Sequence, residues 1–375
     1  MPGWAETALE QMITKYKKSI PIAAKNHMIP YQGGQGRWIG SPYDGNSWWT
    51  GGFWPGLMWQ FYAATGDDVF KKEALRVDAL LARELSSFSK LNHDVGFMYL
   101  LSAGAEYRFT GAESAAVNAL HAATILAGRM NPNGFIRAWN DDKAGWAIID
   151  CMMNLCLLYW ASAYTGDPRF TMAARLHADT ALREFVREDG SCWHIVVFDP
   201  ENGKAIAKPA GQGYAAGSSW SRGQAWGLYG FTLAYLALGE SRYLDAACAI
   251  ADYFIANIRE DGLTDCDFCQ PKDVVKIDNI AAACAACGLL ELERTGMVAH
   301  AEAYHAAAEK MLRALTQTCA DWTNESVGIL QKCTAAYHDD GAGTHVNLVY
   351  GDYFLAEALA KMCGIDPMLW LVERG

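Results

Sequence analysis

A glycine recurs after stretches of apolar helical pattern, and this repeat limits the possible folds more than any other feature of the chain. The glycines are Gly66, Gly111, Gly166, Gly239, Gly296 and Gly364. Each can adopt the left-handed conformation that ends a helix. After each of the first five, a second amphipathic stretch follows, such as residues 71–88. The repeating unit is therefore helix, glycine, helix, about 50 residues long.

The two helices of a unit differ in how their apolar residues are arranged. Residues 146–164 are apolar on nearly every face, which is typical of an interior helix, whereas residues 169–185 have one apolar stripe and one charged face. With an N-terminal helix near 5–22 and a final helix near 352–363, the pattern predicts about twelve helices. Six inner and six outer helices in alternation form an all-α (α/α)6 barrel, which we expect to be a single catalytic domain over residues 1–375.

Composition and charge exclude several classes of protein. Hydrophobic residues make up 51% and charged residues 19% of the chain, which excludes intrinsic disorder. A net charge of −11 argues against a nucleic-acid partner or an anionic membrane surface, although a local cation could still bind a small anionic ligand. No apolar run reaches the roughly 18 residues of a membrane span, and residues 1–20 lack a secretory signal pattern. We therefore expect a cytoplasmic protein whose cysteines are reduced.

The loops that enter the predicted inner helices are long and hold most of the polar residues that could do chemistry. They cover residues 40–56, 89–100, 133–150 and 209–227. In a helical barrel these loops meet at one end, so we expect their side chains to surround one opening. The only convincing strand-like run is 191–199.

Two aspartates are the strongest candidates for catalysis. Asp150 lies in an apolar inner-helix pattern, where a carboxylate must be paired, hydrogen-bonded or protonated. Asp94 lies directly before an apolar helical run, so it could stay ionised against the helix N-terminus and raise the pKa of Asp150. Structural roles stay open for both: Asp150 could bind a neighbouring backbone, and Asp94 could be an ordinary helix cap.

Other side chains on or beside these loops are candidates for binding. The polar ones are His93, His194, Gln212 and Arg222. Arg222 could bind a substrate carboxylate through two hydrogen bonds, or it could pair with one of the many acidic residues. Six tryptophans could stack on a sugar or belong to the core: Trp48, Trp49, Trp54, Trp139, Trp220 and Trp226.

The cysteine spacing approaches that of a zinc ribbon. Cys266 and Cys269 form one C-x2-C pair, and Cys284 and Cys287 form another. The second pair lies in an alanine-rich inner-helix pattern, where cysteine acts as a small apolar residue. Because nucleotide, flavin and metalloprotease motifs are also missing from the sequence, we expect neither a metal nor a cofactor.

Segments along most of the chain resemble the unsaturated glucuronyl hydrolases of glycoside hydrolase family 88. They run from about residue 46 to 360 and include WWTGGFWPGLMW, NHDVGFMYLLSA, AIIDCMMNLCLLYWA, FDPENGKAI, SSWSRGQAWGLYGF, ACGLLEL and YGDYFLAEAL. The family has an (α/α)6 barrel, in agreement with the helix count. The resemblance implies removal of a 4,5-unsaturated uronic acid from the non-reducing end of lyase-generated oligosaccharides, by acid-catalysed hydration of the C4=C5 vinyl ether.

The resemblance also implies roles for particular residues. Asp150 would be the general acid and base, and Asp94 the second catalytic carboxylate. The pocket for the unsaturated sugar would be lined by Trp49, His93, Trp139, His194, Gln212, Arg222 and Trp226. The only partner implied is the small oligosaccharide substrate, and no metal or organic cofactor is implied.

Three alternatives remain at the level of sequence. An unsaturated rhamnogalacturonyl hydrolase would perform the same reaction on a substrate with a different second sugar. An inverting endo-glycosidase on this barrel would cut saturated substrates. A non-catalytic carbohydrate-binding barrel would keep the tryptophans but would not need Asp94, Asp150 and Arg222 together.

Overall fold

The predicted all-α barrel is confirmed. The structure, a computed structural model, describes residues 3–25, 28–40, 46–339, 341 and 343–371. Part of the first expected loop, residues 41–45, therefore lies outside the described residues. The described residues contain twelve main helices: α1 Trp4–Lys25, α2 Phe53–Thr65, α3 Asp68–Glu84, α4 95–110, α5 Glu113–Ala127, α6 151–165, α7 Arg169–Glu184, α8 Ser221–Leu238, α9 Ser241–Ala256, α10 Asn279–Arg294, α11 Ala301–Ala314 and α12 Val349–Met362.

Burial divides these helices into an inner and an outer ring. The even-numbered helices are inner: in α10, every residue from Asn279 to Leu292 is buried. The odd-numbered helices are outer and bury one stripe, as α3 does with Phe70, Ala74, Val77 and Leu81. The ring closes because the last inner helix, α12, packs against the first, α2. Within the described residues, none of the helices combines the length and apolar character needed to cross a membrane.

The recurring glycines have the conformation that the sequence predicts. All six have positive φ, between 64° and 74°. At Gly66, Gly111, Gly166 and Gly239 the residue is the left-handed C-cap of an inner helix, and its N–H donates to a carbonyl of the last turn. These caps turn the chain from an inner helix to the outer helix that follows.

Three small sheets lie at the end of the barrel where the inner helices begin. In the described residues the strands are β1 Pro30–Gly34, β2 Arg37–Gly40, β3 Met130–Asn131, β4 Phe135–Ile136, β5 Trp146–Ile148, β6 Ile195–Phe198, β7 Ala205–Ala207 and β8 Asn347–Leu348. The sheet orders are β2-β1-β8, β3-β4 and β5-β6-β7. Strand β6 confirms the strand-like run at 191–199, whereas the other short strands were not expected from the sequence.

The prediction was wrong at the start of α6. The pattern predicts one helix over 146–164, but residues Trp146–Ile148 form β5 and the helix begins at Cys151. Strand β5 pairs antiparallel with β6, and Ile148 lies opposite Ile195. An apolar run cannot by itself distinguish a buried strand from the first turn of a buried helix. Asp150 therefore lies at a strand-to-helix junction and not within the helix.

The opposite end of the barrel is closed by the C-terminal segment. Trp370 is fully buried and stacks on Phe354, with the ring planes 3° apart. Its ring also contacts Phe97 and Tyr229, which lie on two other inner helices, and its Nε1–H donates to Glu357. A tryptophan that touches three inner helices lies close to the barrel axis.

A buried lysine links several elements at this closed end of the barrel. The Lys361 ammonium lies 2.8 Å from Glu291 Oε2, 2.6 Å from Asp366 Oδ2 and 3.6 Å from Glu357 Oε1. These carboxylates raise the pKa of Lys361 although its burial acts in the opposite direction. Since the charges compensate one another, this cluster fixes α10, α12 and the C-terminal segment relative to one another.

The backbones of inner helices α4 and α6 lie unusually close together where the two helices cross. A Cβ on Gly96 would lie 2.5 Å from Asn154 Cα, O and Oδ1, a distance that no real side chain adopts. Helix α4 also contains a π-helical turn at Leu100–Gly104. The absence of a side chain at Gly96 thus allows the N-terminal ends of α4 and α6 to meet.

We expect Gly96→Ala to destabilise the fold because the backbone of α6 cannot yield at this crossing. Overpacking of this kind costs about 1–3 kcal/mol in free energy of unfolding. The matched control is Gly104→Ala on the same helix, where the nearest atom is the end of the Leu100 side chain, Cδ1 at 3.1 Å, and not backbone. Urea unfolding followed by circular dichroism measures both, and equal losses would contradict the argument.

Candidate active site

A cavity of about 800 Å³ opens at the end of the barrel where the inner helices begin. Six of the residues expected in the site line it: Trp49, Asp94, Trp139, Asp150, His194 and Gln212. Five of them come from the four loops predicted to lead into inner helices, and His194 lies directly before strand β6. The cavity also includes residues that sequence reasoning did not single out: Tyr31, Lys90, Lys143, Trp146, Asp339 and Tyr350.

Asp94 and Asp150 each occupy the N-cap position of an inner helix, and neither caps it. Asp94 precedes Val95 of α4 and Asp150 precedes Cys151 of α6, yet neither carboxylate accepts a hydrogen bond from its own helix. Asp67 and Asp278, in contrast, do cap α3 and α10 through their side chains. Asp94 therefore does not have the ordinary capping role that its sequence position allows.

A buried amide satisfies the helix end that Asp94 leaves open. The Phe97 N–H donates to Asn154 Oδ1 at 2.7 Å. The Asn154 amide nitrogen lies 3.4 Å from Asp94 Oδ1 and 3.3 Å from the Asp150 carbonyl oxygen. Asn154 is fully buried. This side chain thus connects the beginnings of α4 and α6.

His93 contacts Asp94 from behind the cavity wall. Its Nδ1 lies 2.8 Å from the Ala138 carbonyl oxygen, which can only accept, so Nδ1 carries the hydrogen. Nε2, 3.3 Å from Asp94 Oδ1, is then an acceptor. Burial lowers the pKa of His93 to about 3, so the ring is neutral. The contact between Nε2 and Asp94 is therefore attractive when the carboxyl group is protonated.

His194 faces Asp150 as a hydrogen-bond donor. The backbone N–H of Gln212 donates to His194 Nδ1 at 3.0 Å, so the hydrogen of the neutral ring lies on Nε2. Nε2 is 3.7 Å from Asp150 Oδ1, and neither atom has a hydrogen-bond partner among the described residues. The pairing of β5 with β6 explains this proximity, since the Ile149 N–H donates to the His194 carbonyl oxygen. A substrate group or water can bridge the two atoms.

Both carboxyl groups have pKa values near neutrality. Burial raises the pKa of Asp94 to about 7, although Asn154 and Arg129 act in the opposite direction. Burial, and then the charge of Asp94, raise the pKa of Asp150 to about 7, while Arg222 lowers it. The sequence suggested that helix N–H groups would keep Asp94 ionised, and that expectation is wrong because no such group meets its side chain. The site thus holds two protonatable carboxyl groups, one beside the other.

Aromatic rings form two walls of the cavity. Trp49 lies edge-on to Tyr350 with ring centroids 4.9 Å apart. On another wall, Trp139 and Trp146 have centroids 5.9 Å apart. Such rings give a sugar flat apolar surfaces and cost little conformational entropy.

Arg222 does not line the cavity, so the structure does not bring it to the position that the sequence suggests for binding a substrate carboxylate. Its guanidinium is fully buried, forms an ion pair with Asp278 and donates to the Thr334 and Ala335 carbonyl oxygens. The ring of Tyr350 covers it. The alternative considered from the sequence, an ion pair with an acidic residue, describes the structure. Its charge lowers the pKa of Asp150, and its Nε–H has no hydrogen-bond partner among the described residues.

Trp226 and His93 also lie outside the cavity lining. Trp226 is fully buried between Phe97 and Phe354, with centroid distances of 5.3 and 5.4 Å. On an inner helix that is apolar all round, the sequence cannot show which tryptophan faces the opening. His93 is fully buried behind Asp94 and can act on substrate only through that carboxyl group.

The cysteine pairs do not form a metal site in the part of the chain that the structure describes. Cys284 and Cys287 are buried in α10, where burial raises the pKa of both thiols, and Cys269 is exposed. Among the described residues, no group of three or more His, Cys, Asp or Glu side chains could hold a metal ion. All eleven cysteines are unpaired.

A helical barrel that carries an acid–base pair between aromatic walls belongs to the class of carbohydrate-active hydrolases, and comparison with known proteins identifies the family. The chain belongs to Glycosyl Hydrolase Family 88, whose model matches residues 10–360. Unsaturated glucuronyl hydrolase of Bacillus sp. (strain GL1) is 38% identical over 328 residues, covering 84% of this chain and 86% of that protein.

A second relative and a solved structure of the Bacillus protein agree with this assignment. Unsaturated chondroitin disaccharide hydrolase of Streptococcus pyogenes serotype M1 is 34% identical over 330 residues, covering 84% of this chain and 81% of that protein. The crystal structure of the Bacillus sp. GL1 unsaturated glucuronyl hydrolase, described as responsible for the degradation of glycosaminoglycan, superposes with a TM-score of 0.91 at 34% identity. That match covers 99% of this chain and 100% of the other.

We expect Asp150→Asn to flatten the pH dependence of stability. The folded pKa of about 7 lies above the ordinary 3.8, so between these pH values the folded chain holds a proton that the unfolded chain has lost. The free energy of unfolding therefore falls as pH rises through this window, with each pKa unit worth about 1.4 kcal/mol. Relative to wild type, the variant should be more stable at pH 8 than at pH 4.5 in urea titrations. If the difference in free energy of unfolding between variant and wild type is the same at both pH values, the pKa of Asp150 is not raised in the folded chain.

We expect Asn154→Asp to move the alkaline limb of the pH–rate profile to higher pH. A third carboxylate beside Asp94 and Asp150 disfavours ionisation of the pair, because like charges in a buried site raise each other's pKa. The matched control is Gln224→Glu: this amide is also fully buried and bonds only to backbone, at Cys192 and Trp220. The pH–rate profile of Gln224→Glu should not shift, even if the substitution weakens the fold. Equal shifts in both variants would show that Asn154 has no particular link to the pair.

Proposed function

We propose that this chain removes the 4,5-unsaturated uronic acid from the non-reducing end of oligosaccharides released by polysaccharide lyases. The observation that carries the proposal is the Asp150 carboxyl group. It lines the cavity, has a pKa near neutrality, and its Oδ1 has no hydrogen-bond partner among the described residues. Such a group can hold a proton at neutral pH and deliver it to a carbon atom of the substrate.

The names of the relatives support the substrate class. The Bacillus and Streptococcus proteins are named for unsaturated glucuronyl and unsaturated chondroitin disaccharide hydrolysis. We propose that the substrate of this chain is likewise a short glycosaminoglycan-type oligosaccharide ending in an unsaturated uronate. A cavity of about 800 Å³ is large enough for a disaccharide.

The reaction needs one carboxyl group that first donates and then accepts a proton. Asp150 protonates C4 of the C4=C5 double bond, and the positive charge that develops at C5 is shared with the ring oxygen. Water adds to C5 and returns a proton to Asp150, which restores the acid. The resulting hemiketal opens to a ketone, and the hemiacetal left at C1 then releases the second sugar. No step requires an external oxidant, reductant or metal.

The neighbouring residues divide the remaining tasks. In this proposal Asp94 is not the proton donor, because its Oδ1 contacts His93 and Asn154. Its role is to set the charge beside Asp150. The His194 Nε2–H, fixed by the Gln212 backbone, binds substrate or the attacking water next to Asp150. Trp49 and Trp139 provide the faces that hold the sugar rings.

The alternatives receive less support. An inverting or retaining glycosidase places its two carboxylates on either side of the scissile bond, with one ionised. Here burial raises the pKa of both carboxyl groups to about 7, so Asp150 can hold the proton that addition to a double bond requires. Neither the Bacillus nor the Streptococcus relative is named for rhamnogalacturonyl substrates, and a non-catalytic barrel would have no use for the unpartnered Asp150.

We also propose that residues 1–375 form one catalytic domain in the cytoplasm. A single apolar core extends from Ala5 to Trp370, so no boundary divides the described chain. Eleven unpaired cysteines suit a reducing compartment.

The test is Asp150→Asn against an unsaturated glycosaminoglycan disaccharide. The amide cannot donate the proton, and loss of a general acid typically costs about 10²–10⁴-fold in kcat. The assay is the disappearance of the ultraviolet absorbance of the conjugated double bond. The matched control is Asp339→Asn, which changes another carboxylate at the same cavity and should retain near wild-type kcat.

A second readout distinguishes hydration from ordinary glycoside hydrolysis. In D2O the proposed reaction places one deuterium on C4 of the released keto sugar, which NMR detects. An ordinary glycosidase would release the sugar with the double bond intact and no deuterium at C4. That product, or near-normal kcat in a folded Asp150→Asn variant, would overturn the proposal.

A further inference from the structure

An anionic substrate needs a cation in the cavity, and Arg222 does not supply it. The guanidinium is already compensated by Asp278 and lies behind Tyr350. The chain as a whole has a net charge of −11, which repels an acidic sugar. The attraction must therefore be local.

Two lysines are the only cationic side chains among the described residues that line the cavity, Lys90 and Lys143. They differ in how they are held. Lys90 is exposed at the end of a short helical turn. The Lys143 ammonium lies over two indole rings, 4.9 Å from the centroid of Trp139 and 5.2 Å from that of Trp146. Cation–π contacts restrict a lysine without neutralising it.

The loop that carries Lys143 is fixed at both ends. Arg129 donates to Asn140 Oδ1 and to the Trp139 carbonyl oxygen. At the other end, the Trp146 N–H donates to the Lys143 carbonyl oxygen, and Gly145 O accepts from Phe198 of β6. The position of Lys143 is therefore built by the fold and is not that of a free surface side chain.

The ammonium of Lys143 still has hydrogen-bonding capacity. It forms no hydrogen bond or ion pair with any described residue, in contrast to Lys15, Lys208 and Lys361. An ammonium has three donors, and aromatic faces satisfy them only weakly. Its half-buried position at the cavity leaves these donors for a ligand.

We propose that Lys143, held over Trp139 and Trp146, is the cationic contact for an anionic oxygen group of the substrate. The chemistry is shared by two sources: the carboxylate of the unsaturated sugar and a sulfate ester on the sugar next to it. The inference rests on the proposed function, since it names the residue that recognises the charge of that substrate. It replaces Arg222 in the role that the sequence suggested.

The test compares Lys143→Gln and Lys143→Arg with wild type on three matched substrates. These are an unsaturated disaccharide, its uronate methyl ester, and the same disaccharide with a sulfate on the second sugar. The matched control is Lys71→Gln, which removes a lysine held over Tyr62 on outer helix α3. The readouts are kcat/KM and its dependence on salt concentration.

We expect Lys143→Gln to lower kcat/KM about 10- to 100-fold on the substrate that carries the contacted anion, because a charge-assisted hydrogen bond is lost. Lys143→Arg should recover most of the loss, and Lys71→Gln should lose nothing. A larger loss on the acid than on the ester assigns the carboxylate. A loss confined to the sulfated substrate assigns the sulfate. Equal losses on all three, or no loss on any, overturn the proposal.

Binding separates this inference from the proposed function. Calorimetry with Asp150→Asn, alone and combined with Lys143→Gln, measures affinity for the intact unsaturated disaccharide without turnover. If wild type fails to consume the double bond, the proposed function fails. If wild type is active but the two Asp150→Asn proteins bind every one of the substrates with equal affinity, only the role of Lys143 fails.

Discussion

The active end of this barrel depends on the contact between Gly96 of α4 and Asn154 of α6. Because Gly96 has no side chain, the Asn154 amide reaches the first turn of α4 and accepts the Phe97 N–H. That N–H is the one that a capping aspartate at position 94 would ordinarily satisfy. A residue of the neighbouring helix thus performs the capping, and the Asp94 carboxyl is released from it. The cost is a close helix crossing that tolerates no Cβ.

The same contact explains why the two carboxyl groups have pKa values near neutrality. A carboxylate that caps a helix is stabilised in its charged form by N–H groups and by the helix dipole. Asp94 and Asp150 receive no such stabilisation from their own helices, so burial dominates and raises the pKa of both. Elsewhere in the barrel the buried charges are compensated in place: Arg222 by Asp278, and Lys361 by its carboxylates. At the cavity, in contrast, no cation pairs with the Asp94 or Asp150 carboxyl group among the described residues.

The sequence predicted the barrel well because its signals are local. A left-handed glycine after each inner helix, and a single apolar stripe on each outer helix, need no knowledge of distant contacts. The site was predicted in part: Asp94, Asp150, Trp49 and Trp139 lie where their loops suggest. Arg222 was misplaced because periodicity on a fully buried helix does not distinguish a residue that faces the opening from one that faces Asp278.

Several contacts of the site could not be predicted from the sequence because they arise from pairing across long distances. Asn154 acts through Phe97, 57 positions away, and nothing local marks it. Asp150 and His194 meet because Ile148 pairs with Ile195, a register that an apolar run does not reveal. Lys143 had a weak local signal, a basic residue between two tryptophans in a loop of the opening.

The proton chemistry of the site follows from these contacts. Two adjacent carboxyl groups titrate as a pair, and an unequal environment decides which one reacts. Asp94 Oδ1 lies against His93 and Asn154, whereas Asp150 Oδ1 has only the distant His194 Nε2–H beside it. The less restrained proton is the one that can reach a carbon atom, and the same oxygen is free to take a proton back from water.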